Sequence, residues 1–403
     1  RWMVATVVAL FASLAAAPIS ASADDEPEPV VATAGAVEIC DTDSLMLGDP
    51  PDPNDGPPVR GASDPVMPLD TGRFGIYVEP GRLDDIDAAV EQYVLDLRLE
   101  GYESFVREFV GSAAALRSDL RSEHMAGMVG ALLVGDLPTF EFTSASGPFP
   151  ETYLHDLYFM DLDGTYVDAA PVDVHRDGSG DVEPEIYVSR ITAEPLLWLT
   201  GGTEADAVNE YFARVHAYRT GDLTYADRGG AFADADWSTY DWAAAMEALY
   251  PAPDVDSVHS LPASTPANFV SFIQEDHESL VHAAHGGPDV AHFYAGPAYF
   301  GYEGSVTAQD LVLAGAQPGF YNMFTCSAGD FSGDSLLGAA VIANDRGLHG
   351  ISSTKPGGIA EYDNYGFYAP LGAGSTVGQA FLEFFQTHTG STEVPGEEHL
   401  ISW

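Results

Sequence analysis

A chain of 403 residues, 46% of them hydrophobic, can bury a large core and is too apolar to be disordered throughout. Its 62 Asp and Glu outnumber 15 Lys and Arg, and the net charge of -47 argues against nucleic acid or an anionic membrane as partner, because both need a basic patch to displace counterions. Charge of this size repels itself in dilute buffer and is screened by salt, so a saline or calcium-containing medium is expected.

Residues 1–23 read as a secretory signal: Val4 to Ala17 form an apolar core, and Ala21-Ser22-Ala23 offers small residues for cleavage. The core is too short to span a bilayer comfortably, and no other segment reads as a membrane span. The expected location is secreted or cell-surface. Residues 24–70, rich in Pro, Asp and Gly, read as an acidic leader or prosegment. Regular structure is expected from Arg73. Phe74–Val78 predicts a strand, and Leu83, Ile86, Val90, Tyr93, Val94 and Leu97 recur at helical spacing. A strand over 102–109, a helix over 112–123 and a buried strand at 131–134 follow, then a strand at 186–188 and a helix over 204–218. Further strands are expected at 230–235, 279–284, 319–325 and 348–353, and helices at 334–343, with Asp334 as cap, and 376–386. This alternation predicts an α/β fold with a mainly parallel sheet flanked by helices. It is expected to divide into an N-terminal α/β subdomain over 71–200 and a second one over 201–403.

Functional groups in such sheets gather at the carboxyl ends of strands. Two apolar runs end in reactive residues: Leu280–Ala284 at His285-Gly286-Gly287, and Phe320–Thr325 at Cys326-Ser327-Ala328-Gly329-Asp330. A thiol attacks a carbonyl as thiolate, an imidazole can take and return its proton, and loop glycines let backbone N–H groups approach an oxyanion. The chain has one other cysteine, Cys40. A disulfide between the two would block the nucleophile, so the expectation is two free thiols, or a transient role for Cys40 before processing.

The segment Thr325-Cys326-Ser327-Ala328-Gly329-Asp330-Phe331 resembles the nucleophile segment of the gingipain family of cysteine peptidases, within the caspase-like group. His285-Gly286 is similar to that family's base segment. Leu132–Pro138, Asp156–Gly164, Glu185–Arg190 and Gly350–Thr354 follow in the family's order. The resemblance covers about residues 73–390. It implies a caspase-like three-layer sandwich and cleavage of protein or peptide substrates through a thioester, with Cys326 as nucleophile and His285 as general acid and base. The backbone N–H groups of Gly286 and Cys326 would form the oxyanion hole. An acidic residue assists the histidine in that family; Asp236 is the first choice here and Asp234 the second. Family members continue with another strand and a Gly-Asp-Pro turn, and Trp403 ends this chain before either.

The carboxylates Asp161, Asp163, Asp177, Asp181 and Glu183 lie in a Gly-rich stretch and offer hard oxygens suited to Ca²⁺. The stretch is no EF-hand, since Val182 and Val188 stand where the motif needs Gly and Glu. The resemblance implies structural calcium, and nothing calls for an organic cofactor. His282, His285 and His292 invite a zinc reading, but strand alternation sends the first two to opposite faces and no His-Glu-x-x-His helix is present. Candidates for substrate binding are Asp241, Ser353, Thr354, Lys355, Pro356 and the aromatics Tyr362, Tyr365 and Phe367. An acidic pocket residue would select Arg or Lys. Two other functions remain open: a self-processing or transpeptidase-type surface-sorting enzyme using the same pair, and a non-catalytic, calcium-stabilised surface module.

Overall fold

The structure is a computed structural model and describes residues 72–144, 150–168, 172–176, 178, 180–296, 299–357, 367–388 and 400–402. The chain opens with β1 (Arg73–Val78), α1 (Leu83–Leu99), β2 (Glu103–Glu108), α2 (Ala113–His124) and β3 (Met128–Val134). Two hairpins follow, β4 (Glu141–Ser144) with β5 (Glu151–Leu154), then β6 (Thr165–Asp168) with β7 (Asp173–Arg176); the one-turn helix α3 (Leu157–Met160) lies between them. β8 (Tyr187–Ile191) completes a parallel sheet ordered β2-β1-β3-β8. The helical period in 83–97 is realised as expected, and Ser112 caps α2, its side chain accepting the Ala115 N–H.

After the short helix α4 (Leu197–Thr200), α5 (Glu204–Thr220) leads to the second sheet. α5 starts in a reciprocal capping box between Thr203 and Asp206 and stops at Gly221 in the left-handed conformation. Then come β9 (Gly229–Ala233), α6 (Trp242–Glu247), β10 (Val255–Val258), α7 (Pro266–Ile273) and β11 (Ser279–Ala283). A three-stranded antiparallel sheet, β12 (His285–Gly287), β13 (Val290–Gly296) and β14 (Phe300–Thr307), interrupts the alternation before α8 (Ala308–Ala314) and β15 (Phe320–Phe324). The chain continues through α9 (Leu336–Val341), β16 (His349–Ser353), α10 (Tyr368–Gly372), α11 (Val377–His388) and β17 (Leu400–Ser402). The second sheet runs β10-β9-β11-β15-β16-β17, parallel except for β17.

Every residue of β9 and β11 is buried, so these strands read as continuous apolar runs instead of alternating ones. The flanking helices are equally apolar where they pack; α9 is buried at each of its positions. The two sheets meet at their edges, where the Ser189 hydroxyl of β8 reaches the Ser402 carbonyl of β17 at 3.4 Å. The architecture is therefore α/β with parallel sheets flanked by helices. Among the described residues no helix is long and apolar enough to cross a membrane.

Two expectations are corrected locally, and one element is new. Ser335, and not Asp334, caps α9, its hydroxyl accepting the Gly338 N–H, while the Asp334 carboxylate takes the indole N–H of Trp198. The run 230–235 leaves the sheet after Ala233 and tightens into a 3₁₀ turn at Ala235–Trp237. The antiparallel sheet over 285–307 was not expected, because Gly286-Gly287 masks the alternation that marks a strand.

Candidate active site

β11 and β15 are parallel neighbours, with Ala283 in register with Phe324. His285 and Cys326 each lie two residues beyond that pair, so both leave the sheet at the same edge, on strands about 4.8 Å apart. The Ala284 N–H still donates to the Phe324 carbonyl at 3.1 Å, and this carries the register up to the two residues. Gly286 is obligatory here. A Cβ on it would overlap the Val290 carbonyl oxygen and lie 2.6 Å from Thr325 Cγ2, so only glycine lets β12 turn against the Cys326 strand.

His285 is buried, and its Nε2 lies 2.8 Å from Asp236 Oδ2. Donation of Nε2–H to that carboxylate leaves the lone pair on Nδ1, a buried nitrogen without a hydrogen-bond partner. Burial holds the imidazole below its usual pKa, with Asp236 pulling the other way. Asp234 is turned elsewhere. Its Oδ1 accepts the Tyr294 N–H at 2.7 Å, and burial pushes its carboxyl up to about 7. Asp236 is thus the residue brought to His285, and Asp234 supports the hairpin. Trp237, Tyr294 and Tyr299 surround the imidazole, with ring centroids 5.1, 5.6 and 4.4 Å away.

Cys326 is fully buried, and Ser327 after it adopts φ +57°, in the left-handed region. Such a residue is rare outside Gly, Asn and Asp and turns the chain sharply at the cysteine. The turn is held by the Ser327 N–H to the Lys355 carbonyl at 2.9 Å and the Gly329 N–H to the Ser353 carbonyl at 2.8 Å. Arg190 supports it from the first sheet. Its guanidinium makes two bonds to Asp156, at 2.8 and 3.0 Å, and lies 4.5 Å from the Phe331 ring. Cys326 is disulfide-bonded, which corrects the expectation of two free thiols. Cys40, the only other cysteine of the chain, lies outside the described residues.

The substrate-binding candidates divide. Ser353 and Thr354 are buried and engaged, Ser353 Oγ with the Lys355 carbonyl and Thr354 Oγ1 with the Leu154 carbonyl at 2.7 Å. They brace the loop beside Cys326 and are not presented to a substrate. Asp241 is exposed at the start of α6 and makes no side-chain cap. Tyr362 and Tyr365 lie outside the described residues, and Phe367 is buried in the core.

The acidic stretch gathers a different set from the one expected. Asp161, Asp163 and Glu185 bring carboxylate oxygens within 4.8 Å of one another. Asp181 folds back to accept the Glu183 N–H at 2.9 Å; neither it nor Glu183 joins the group, and Asp177 lies outside the described residues. Glu185 opens the Glu185–Arg190 segment and was not expected as a ligand. It enters because it immediately precedes the stretch leading into β8, and its Oε2 accepts the Leu162 N–H at 2.5 Å. Burial, with Asp161 and Asp163 adding to it, pushes Glu185 up to about 7. Among the described residues, Asp163 Oδ1 is buried without a hydrogen-bond partner. Side chains at Gly164, Gly178 or Gly180 would collide with Asp161 or Asp163, so these glycines let the loop wrap the carboxylates. The hard oxygen set fits Ca²⁺. Arg117 donates to the Asp161 and Gly164 carbonyls beside the group, and His175 Nε2 is hydrogen-bonded with Asp161 Oδ2.

The three histidines considered for zinc do not converge. His282 stacks on Phe269 with centroids 4.2 Å apart, and burial pushes it down to about 3. His292 faces His285 across the β12–β13 pair. Asp234, Asp236 and His285 also meet metal-ligand spacing, as do Asp256, Glu275 and His277. In the first trio Asp236 Oδ2 and His285 Nε2 are hydrogen-bonded to each other at 2.8 Å. In the second, Arg228 already occupies Asp256.

The chain matches no protein-family model, no curated protein and no solved structure.

Proposed function

We propose that this chain is an exported, caspase-like cysteine endopeptidase of gingipain type, with Cys326 as nucleophile and His285 as general acid and base. The observation that carries the reading is the Asp236–His285 hydrogen bond, which leaves Nδ1 as acceptor at the strand end adjoining that of Cys326. A catalytic base needs this state: neutral, oriented by a carboxylate and shielded from water.

A disulfide-bonded sulfur is no nucleophile, so the thiol must first be released by exchange with a reducing thiol. His285 Nδ1 then takes the Cys326 proton, and the thiolate adds to the peptide carbonyl carbon. The oxyanion is held by backbone N–H groups of Gly286 and Cys326. Collapse breaks the C–N bond, His285 protonates the leaving amine, and a thioester remains. Water, deprotonated by His285, hydrolyses the thioester and restores the thiolate. Asp161, Asp163 and Glu185 are the residues we assign to a structural Ca²⁺; the ion would neutralise their convergent charge and has no part in the reaction.

The full chain, assayed in high salt with calcium against a mixed fluorogenic peptide library, is expected to cleave after reduction and to be inert before it. Cys326→Ala abolishes cleavage, and Cys40→Ala cleaves without reductant. A folded, reduced chain that cleaves nothing and resists alkylation at Cys326 would sink this reading.

A further inference from the structure

Among the described residues two non-glycine positions have positive φ. One is Ser327, beside the nucleophile; the other is Tyr299, at φ 60°. An aromatic residue rarely adopts this conformation, and its neighbours must enforce it. The contacts that hold Tyr299 are with His285 and its carboxylate partner Asp236. Its ring lies 4.4 Å from the His285 ring, and its N–H donates to Asp236 Oδ2 at 3.3 Å. That oxygen is the one His285 Nε2 engages. Tyr294 closes the arrangement, edge-on to Tyr299 at 5.4 Å, while its own N–H is fixed by Asp234.

We infer, on the reading of His285 as general base, that Tyr299 is a positioning residue: it locks the imidazole and the Asp236 carboxylate in mutual orientation and keeps water from the imidazole. A single residue thus touches both His285 and Asp236, with its backbone on the carboxylate and its ring on the imidazole. The titratable groups around His285 are Asp236, hydrogen-bonded to it, Asp234, close by but bonded to the Tyr294 N–H, His292 and Tyr294 from β13, and Tyr299 before β14. Burial is the largest influence on the imidazole and acts downward; Asp236 acts upward and His292 downward. The Tyr299 ring is part of that burial.

The test uses the full, reduced chain with Tyr299→Gly, which tolerates the backbone conformation and removes the ring, and Tyr299→Phe, which keeps the ring. Tyr299→Gly is expected to lower kcat about tenfold, through loss of orientation, with KM within about twofold. Its Tm should stay level or rise, since glycine relieves the positive φ. The NMR titration midpoint of His285 should move up toward the ordinary value of about 6.5 as water reaches it. Tyr299→Phe should match the parent in all three. A glycine variant with the parent's kcat and titration overturns the inference, as does a loss of kcat matched by an equal fall in Tm in both variants. If the parent chain cleaves nothing, the peptidase reading fails, while the His285 titration, which needs no substrate, still decides the role of Tyr299.

Discussion

Asp234 and Asp236 stand two residues apart, and the spacing alone offers either to His285. The 3₁₀ turn at Ala235–Trp237 separates them, pointing one at a backbone N–H of β13 and the other at the imidazole. The assignment predicts different behaviour for the two. Asp236→Asn should lower kcat/KM about tenfold to a hundredfold, because the imidazole loses its orienting acceptor and its countercharge. The sign of the pH effect follows from the forces on His285. Burial already holds its pKa below the usual value, and Asp236 raises it. Removing that carboxylate therefore lowers the pKa further and moves the acid limb of the kcat/KM profile to lower pH. Asp234→Asn should leave the limb in place. A limb that does not move in Asp236→Asn, or moves upward, would count against Asp236 as the partner.

At the scale of elements, the loop from Asp161 to Glu185 is where reading by composition reached part of the way. Asp161 and Asp163 were legible as alternate carboxylates before a glycine. Glu185 was not, since it joins them only through the pairing of β8 with β3, which fixes where the chain returns. A carboxyl raised from its usual 4.5 to about 7 in the fold binds more protons folded than unfolded across that interval. Its contribution to stability is therefore fully present below about 4.5 and is lost as pH rises through about 7. In chelator, the parent should lose more Tm between pH 5 and 7.5 than Glu185→Gln does. Calcium should recover the difference in the parent by binding the ionised carboxylates. Equal slopes for parent and variant, with no calcium response, would argue against a cation here.

Over the whole molecule, the net charge of -47 outweighs what the few cations can offset. Among the described residues several arginines are already engaged in ion pairs between elements, such as Arg82 with Glu204 at 2.7 Å and Arg219 with Glu100 at 2.5 Å. The excess acidic charge can be relieved only by the solvent. The Debye length falls from about 10 Å at 0.1 M salt to about 3 Å at 1 M. The Tm of the chain is accordingly expected to rise over that range, measured with a non-binding salt to separate screening from calcium binding. A Tm that falls would show that the ion pairs, and not the repulsion, dominate.

The amphipathic helix over 83–97 and the apolar runs of β11 and β15 were legible because each depends on residues within a turn or two of one another. The same runs placed His285 and Cys326 at strand ends before any geometry was known. Tertiary structure decided what depends on long-range register. It set β11 against β15, chose Asp236 over Asp234, brought Glu185 to Asp161 and Asp163, and buried Ser353 and Thr354 against the loop beside Cys326. Tyr299 carried no signal in the sequence, because a strained backbone angle belongs to the packing that enforces it and not to the residue.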